Sequence, residues 1–364
     1  IDFIWMSAQN TLPTTQTGLR FALAELLAEP HRLILLHTVV CLFVMVCLAL
    51  PSQWGVQLPV AMMAGVLLLG VAGMVFWAMQ HGVWDEGVTL LFDVPPGSFG
   101  LETWTRAAGL SFYSLGLGLG ISLILGAHMD ARLPIGTTAL WVVLVDILWS
   151  LLFAAAVLGY GAHGSATAAL EFIYVELPFR VLESAGSRAW PVLLFTLVLL
   201  SGLSTGLLLV KNAVMWLHER YFWPRSVSAL VAMVLVWAMG VVVVLSFNVW
   251  QEVRFFDATI LAWVSTIPAN LLLPALSLLL VIYVGWLMPV RHTVDELRPV
   301  WEHRFQLWRF NIRFGTTLAL LLVLMIQVQS AWLIDWRLQA LLLGMLVVLS
   351  VGWYRYRYWN WESS

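Results

Sequence analysis

Nine stretches of this chain stay apolar for long enough to cross about 30 Å of hydrocarbon, which takes about 20 helical residues. They lie near 33–50, 58–80, 107–127, 137–160, 190–216, 226–249, 258–288, 310–329 and 334–353. Polar residues gather between them. Most fall in two longer connections, His81–Arg106, with its Pro95-Pro96-Gly97 break, and Gly161–Ala189, whereas the last two spans are joined by a short turn around Ser330. The sequence contains no soluble domain, linker or low-complexity tract. The pattern predicts an all-α integral membrane protein, a single transmembrane domain over 1–364.

Two of the spans carry polar and glycine breaks: Ser111-Phe-Tyr-Ser-Leu-Gly-Leu-Gly-Leu-Gly120 and Leu200-Ser-Gly-Leu-Ser-Thr-Gly206. A helix that only spans needs neither. Each glycine weakens a helix by roughly 1 kcal/mol, and hydroxyls at bilayer depth must find partners. Such segments line a cavity or a helix contact, and here they point to a secondary transporter that binds sodium.

Composition agrees with the pattern. Of 364 residues, 61% are hydrophobic and 10% charged, with a mean hydropathy of +0.90, far from the roughly 25% charged of globular domains. No basic tract suggests nucleic acid as a partner. Many of the 21 Trp, such as Trp84, Trp104, Trp216 and Trp223, fall near span ends, as an aromatic belt would. Cys41 and Cys47 share one apolar span, which argues against a disulfide framework or a thiolate metal site. The eight His show no metal-ligand spacing and read as interface residues. With the segment before the first span placed outside, 11 of the 18 basic residues fall on the inner side, a modest bias with one direction. The chain opens on Ile1 with no signal peptide, and Ile1–Met6 reads as the end of a hydrophobic span, so a piece of a longer protein is expected.

Two sets of polar residues stand out within the spans. Asp146 is the one carboxylate deep in an apolar run, where a charge costs roughly 3 kcal/mol or more; it is a functional candidate or else a protonated or paired helix contact. Ser201, Ser204 and Thr205 fall at i, i+3 and i+4 on one helix face. They are either oxygen ligands for a hard cation, or small residues that admit a neighbouring helix while their hydroxyls bond back into their own.

Five motifs in order resemble the neurotransmitter:sodium symporter family, the group that contains LeuT. Leu91-Phe-Asp-Val-Pro-Pro with Trp104 is similar to the outer loop before the family's sixth helix, and Ser111–Gly120 to that helix's unwound centre. Glu171-Phe-Ile-Tyr-Val-Glu-Leu-Pro178 resembles the outer loop that folds back over the site. Ser201-Gly-Leu-Ser-Thr205 resembles the sodium-binding stretch of helix eight, and Phe256-Asp257 through Asn270-Leu-Leu-Leu-Pro274 to Trp286 resembles helix ten. The resemblance implies a LeuT-like inverted-repeat fold and makes the spans family helices 4–12. On this register residues 1–32 are the end of helix three and an outer loop, 33–80 close the first repeat, 107–288 form the second, and 310–353 are two C-terminal helices. The family's first helix is then not in this chain.

It also implies roles. Ser114 and Asp146 correspond to side-chain ligands of the first sodium site, and Ser201 (through its carbonyl), Ser204 and Thr205 to the helix-eight ligands of the second. Tyr113 matches the aromatic lid over the substrate, Gly116 a backbone contact, Leu119 an apolar wall, and Thr205 with Leu209 the helix-eight wall; Gly116 and Gly120 also form a GxxxG pair suited to plain helix packing. Ser150, one turn after Asp146, stands where chloride-dependent relatives hold chloride, but Leu110 replaces the expected Gln, so chloride is left undecided. The outer gate departs from the family: Ile260 replaces its acidic residue, with Asp257 as the available substitute. The implied function is sodium-coupled symport of a small amino acid or related amine by alternating access, with no enzymatic chemistry, in a cell membrane and in particular a bacterial inner membrane. A non-transporting relative acting as a membrane scaffold is the alternative.

Overall fold

The computed structural model of the chain describes residues 1–93, 97, 99–127, 129, 133–161, 169–185, 189–255, 258–297 and 302–332. The expected ninth span and Asp257 lie outside them. In chain order the α-helices are α1 (Asp2–Ala8), α2 (Gln16–Ala28), α3 (Pro30–Ala49), α4 (Leu58–His81), α5 (Trp84–Phe92), α6 (Leu101–Ser114), α7 (Ile121–Ala127), α8 (Ile135–Gly159) and α9 (Ala169–Glu171). There follow α10 (Leu177–Ala185), α11 (Ala189–Tyr221), α12 (Arg225–Leu245), α13 (Ile260–Ile267), α14 (Leu273–Ile282), α15 (Val290–Leu297), α16 (Glu302–Phe310) and α17 (Thr317–Trp332). Wider π turns join several of them, at Gln53–Gln57, Phe172–Glu176, Pro268–Leu272, Tyr283–Leu287 and Asn311–Thr316. The sole β structure among the described residues is a two-residue antiparallel ladder, Arg254 with Thr259 and Phe255 with Ala258.

Seven helical segments among the described residues are long and apolar enough to cross a membrane: Pro30–Ala49, Gln53–His81, Ile135–Gly159, Ala189–Tyr221, Arg225–Leu245, Ile260–Leu287 and Phe305–Val328. Each matches an expected span. The expected span 107–127 is instead two short helices, α6 and α7, because the chain leaves the helix at Leu115 and re-enters it at Ile121. Gly116, Gly118 and Gly120 all have φ between +64° and +77°. A side chain in that region would press on its own carbonyl, so only glycine repeats it at alternate positions without strain.

The chain forms two compact units. The first comprises 1–96 and 147–261. Its interior includes a cluster in which Val44 and Leu48 of α3, Val56, Leu207 and Val214 of α11, and Ala229 and Met233 of α12 pack together. A second cluster joins Val71 and Ala78 of α4, Ala156 of α8, Val181 of α10 and Leu194 of α11. Glycines set the spacing where backbones meet: a Cβ on Gly87 of α5 would lie 2.8 Å from the Leu158 carbonyl of α8. Near the outer connections, Phe3 sits 5.3 Å from Tyr174 and 5.2 Å from Phe195, ring centre to ring centre. Arg20 pairs with Glu171 at 2.7 Å. The second unit comprises 97–146 and 262–364. Its core is Leu278 of α14 against Leu320, Val323 and Leu324 of α17, with Ala108 of α6 beside them.

Candidate functional site

Within the second unit, α6 ends at Ser114 and α8 carries Asp146. The Ser114 hydroxyl donates to Oδ2 of Asp146 at 3.0 Å, bridging two helices across 32 residues of sequence. Asp146 is half-buried and Ser114 exposed. The carboxylate thus has a partner, as a polar group at bilayer depth requires. It keeps lone pairs on both oxygens after that bond, and the hydroxyl oxygen keeps its own. The two groups present oxygen to one point at the place where the helical ladder ends.

That ladder ends against α14. Gly118 lies so close that a Cβ there would stand 2.6 Å from the Leu273 carbonyl oxygen and 2.9 Å from the Ser277 hydroxyl. Ser277 is 6% exposed, and its oxygen is buried without a hydrogen-bond partner among the described residues. Sequence reading passed over Ser277, a single hydroxyl in a leucine run, because what marks it is its seat against Gly118, 159 positions away. Gly116 is buried and Leu119 half-buried in the same break. Tyr113 belongs to the last turn of α6, with its side chain outside the described part.

The first unit holds the other candidates. Ser201, Ser204 and Thr205 follow one face of α11; Ser201 and Thr205 are exposed and Ser204 half-buried. The Ser204 hydroxyl donates back to the Ser201 carbonyl at 2.9 Å. This is the local bond of a serine that satisfies its own helix, yet it consumes one proton and one lone pair, leaving oxygen lone pairs on both residues. Thr205 makes no side-chain hydrogen bond among the described residues, and Gly202 and Gly206 on the same stretch have open space beside them. Leu209 is half-buried one turn further on. A cavity of about 390 Å³ reaches this stretch, lined by Phe3, Tyr174, Phe195, Leu199 and Gly202 among others. Ser150, one turn beyond Asp146 along α8, is exposed.

Three of the histidines have partners among the described residues. His37 faces the Trp237 carbonyl at 3.3 Å between α3 and α12, His81 stacks on Trp77 at 4.0 Å, and His218 meets the Trp223 carbonyl at 2.6 Å. Outside the spans, burial among Phe3, Phe195 and their neighbours raises the Tyr174 phenol above its ordinary pKa.

No protein-family model matches the chain. It is 22% identical over 324 residues to an uncharacterized sodium-dependent transporter, YhdH, of Bacillus subtilis, covering 86% of this chain and 70% of that protein. It is 18% identical over 274 residues to an uncharacterized sodium-dependent transporter of Haemophilus influenzae, covering 74% of this chain and 60% of that one. Among solved structures it is similar to MhsT in complex with L-phenylalanine, with a TM-score of 0.77 at 18% identity over 88% of this chain and 74% of that chain. The Bacillus subtilis and Haemophilus influenzae relatives are transporters rather than enzymes. The chain is thus a multi-pass membrane protein with a LeuT-like transporter fold, and it resembles the neurotransmitter:sodium symporter family.

Proposed function

We propose that this protein is a sodium-coupled symporter of a small amino acid or related amine. The observation that carries the reading is the Ser114–Asp146 bond of 3.0 Å at the end of a glycine-broken helix. A hard monovalent cation seeks neutral and anionic oxygens at the membrane midplane, and unwound helix centres supply them. In this reading Ser114 and Asp146 hold one sodium ion. Ser201 (carbonyl), Ser204 and Thr205 contribute to a second. Sodium then replaces the hydroxyl-to-carboxylate bond with two oxygen-to-cation contacts and fixes the break. Substrate lies against Tyr113, Gly116, Leu119, Thr205 and Leu209, and release on the other side follows from rocking of helices about the site. The bound phenylalanine of the MhsT complex supports an amino acid as the substrate class, and the sodium-dependent relatives support the ion.

The test is the melting temperature of the purified protein in detergent, in sodium against potassium, with a panel of amino acids. A ligand stabilises only the state it binds. A sodium-specific rise, enlarged by an amino acid and abolished by Asp146→Ala, is the expected result. Equal melting in the two salts would leave the protein a membrane scaffold with a transporter's fold.

A further inference from the structure

Ser277 behaves unlike other helix hydroxyls of this chain. A serine or threonine inside a helix ordinarily donates back to the carbonyl three or four residues earlier. Here Ser7, Thr38, Ser111 and Thr196 donate to the carbonyls of Phe3, Ile34, Ala107 and Val192 at 2.7 to 2.9 Å. Ser265, on the same span as Ser277, donates to the Ala262 carbonyl at 3.0 Å. The corresponding carbonyls for Ser277 are those of Leu273 and Pro274. Its hydroxyl takes neither, and it has no other partner among the described residues.

Depth makes that arrangement costly. Ser277 lies in the span Ile260–Leu287, ten residues before Leu287. At 1.5 Å per residue that is about 15 Å, near the middle of a hydrocarbon core of about 30 Å. The bilayer offers no water at such depth, and alanine would fill the place with no polar atom to satisfy. A hydroxyl buried there without a bond is stabilised only in an arrangement that brings it an acceptor.

The backbone it faces can supply one. The hydroxyl lies 2.9 Å from the place a Gly118 Cβ would take, and the Leu273 carbonyl oxygen 2.6 Å from the same place. Leu273 and Ser277, four apart, share one face of α14. That face is therefore seated on the left-handed backbone of Gly118, at φ +77°. Within the break the Leu115 N–H still donates to the Ser111 carbonyl at 3.1 Å, and the Leu119 N–H to the Gly116 carbonyl at 3.3 Å. The carbonyls of Leu117 and Gly118 have no backbone donor among the described residues.

We propose that Ser277 is a positioning residue of the transport cycle, its hydroxyl donating to the Leu117 or Gly118 carbonyl when sodium seats between Ser114 and Asp146. The inference rests on the sodium reading of that pair. Ser114 lies three residues before Leu117, so an ion that takes its hydroxyl also fixes the start of the turn that follows. Glycine on either side of Leu117 lets the peptides rotate with little steric cost, and the rotation brings a carbonyl onto the waiting hydroxyl. Helix α14 then holds the break in its ion-bound geometry. Ser277 touches neither ion nor substrate; it acts through the backbone of the broken helix.

The experiment is a sodium titration of the melting midpoint of the full chain in detergent, with potassium holding the ionic strength constant. Ser277→Ala is expected to melt in potassium no lower than the wild type, because the hydroxyl it loses has no partner there. It is expected to need about five- to tenfold more sodium for the half-maximal rise, the factor one ordinary hydrogen bond supplies. Ser277→Cys, with a weaker donor, falls between the two, and it reads the same bond should Ser277→Ala not fold. Ser265→Ala, which removes a hydroxyl already satisfied by its own helix, titrates as the wild type. Amide exchange over Gly116–Gly120 reads the break directly: sodium slows it in the wild type, and the same sodium slows it less in Ser277→Ala. A Ser277→Ala titration equal to that of the wild type overturns the proposal. So does a midpoint that falls equally in the two salts, or an equal shift with Ser265→Ala. A wild type that melts alike in sodium and potassium removes the sodium reading itself, and this inference with it.

Discussion

Gly118 combines a left-handed φ of +77° with a backbone carbonyl and a hydroxyl closer than any Cβ tolerates. Alanine there strains its own backbone by about 1–2 kcal/mol and also pushes on Leu273, whose carbonyl cannot swing aside without disturbing α14. Gly118→Ala should therefore lower the melting temperature clearly more than Gly126→Ala, since nothing lies beside Gly126. Asp146 poses a different problem, a carboxylate in a leucine and valine run. Its partner Ser114 was legible as a residue of the same site through the family resemblance, but not from spacing, since 32 positions separate them. Ser114→Ala should weaken the sodium-specific stabilisation without abolishing it, because one neutral oxygen is lost and the charge remains. Sodium titrations of the melting curve check this. Ser277 shows the limit at this scale. It reads as an unremarkable residue in its helix until its burial, and the absence of a hydrogen-bond partner for its hydroxyl among the described residues, are known.

Helix contacts here depend on what is missing from side chains. Gly87 lets α5 meet α8 at backbone distance. Gly87→Leu should separate the two helices and destabilise the first unit by roughly 1–3 kcal/mol, as overpacking does, measurable as a fall in midpoint. Polar contacts add direction. The Trp237 indole donates to Thr38 at 3.0 Å between α12 and α3, and Trp237→Phe should cost about 1 kcal/mol, the net value of such a bond. By contrast, the exposed Arg20–Glu171 pair should contribute under about 1 kcal/mol, so that Glu171→Gln barely moves the midpoint. The elements themselves were largely readable. Runs near 20 apolar residues can only be buried helices or lipid-facing ones, and all seven described spans fall where the runs predicted. The break in 107–127 was readable too, since hydroxyls and three spaced glycines oppose a helix. Its limits were not: Ser111 to Ser114 stay helical, and the Leu115 N–H still donates to the Ser111 carbonyl at 3.1 Å.

For the molecule as a whole, composition alone settled the solvent. A chain with 61% hydrophobic and 10% charged residues leaves large side chains such as Leu69 and Leu148 exposed at 74% and 66%, tolerable only in lipid. Alkaline carbonate washing should leave it in the membrane, and detergent should release it. The sequence by itself determined the span positions, the helix break and, through ordered motifs, the candidate ligands, because membrane helices form locally from their own backbone bonds and lipid rewards apolar length. Only the tertiary structure decided which oxygens meet. It joined Ser114 to Asp146 and set Gly118 against Ser277. Such pairings depend on how helices far apart in sequence cross, and a crossing is fixed by packing over many small contacts that no single stretch of sequence records.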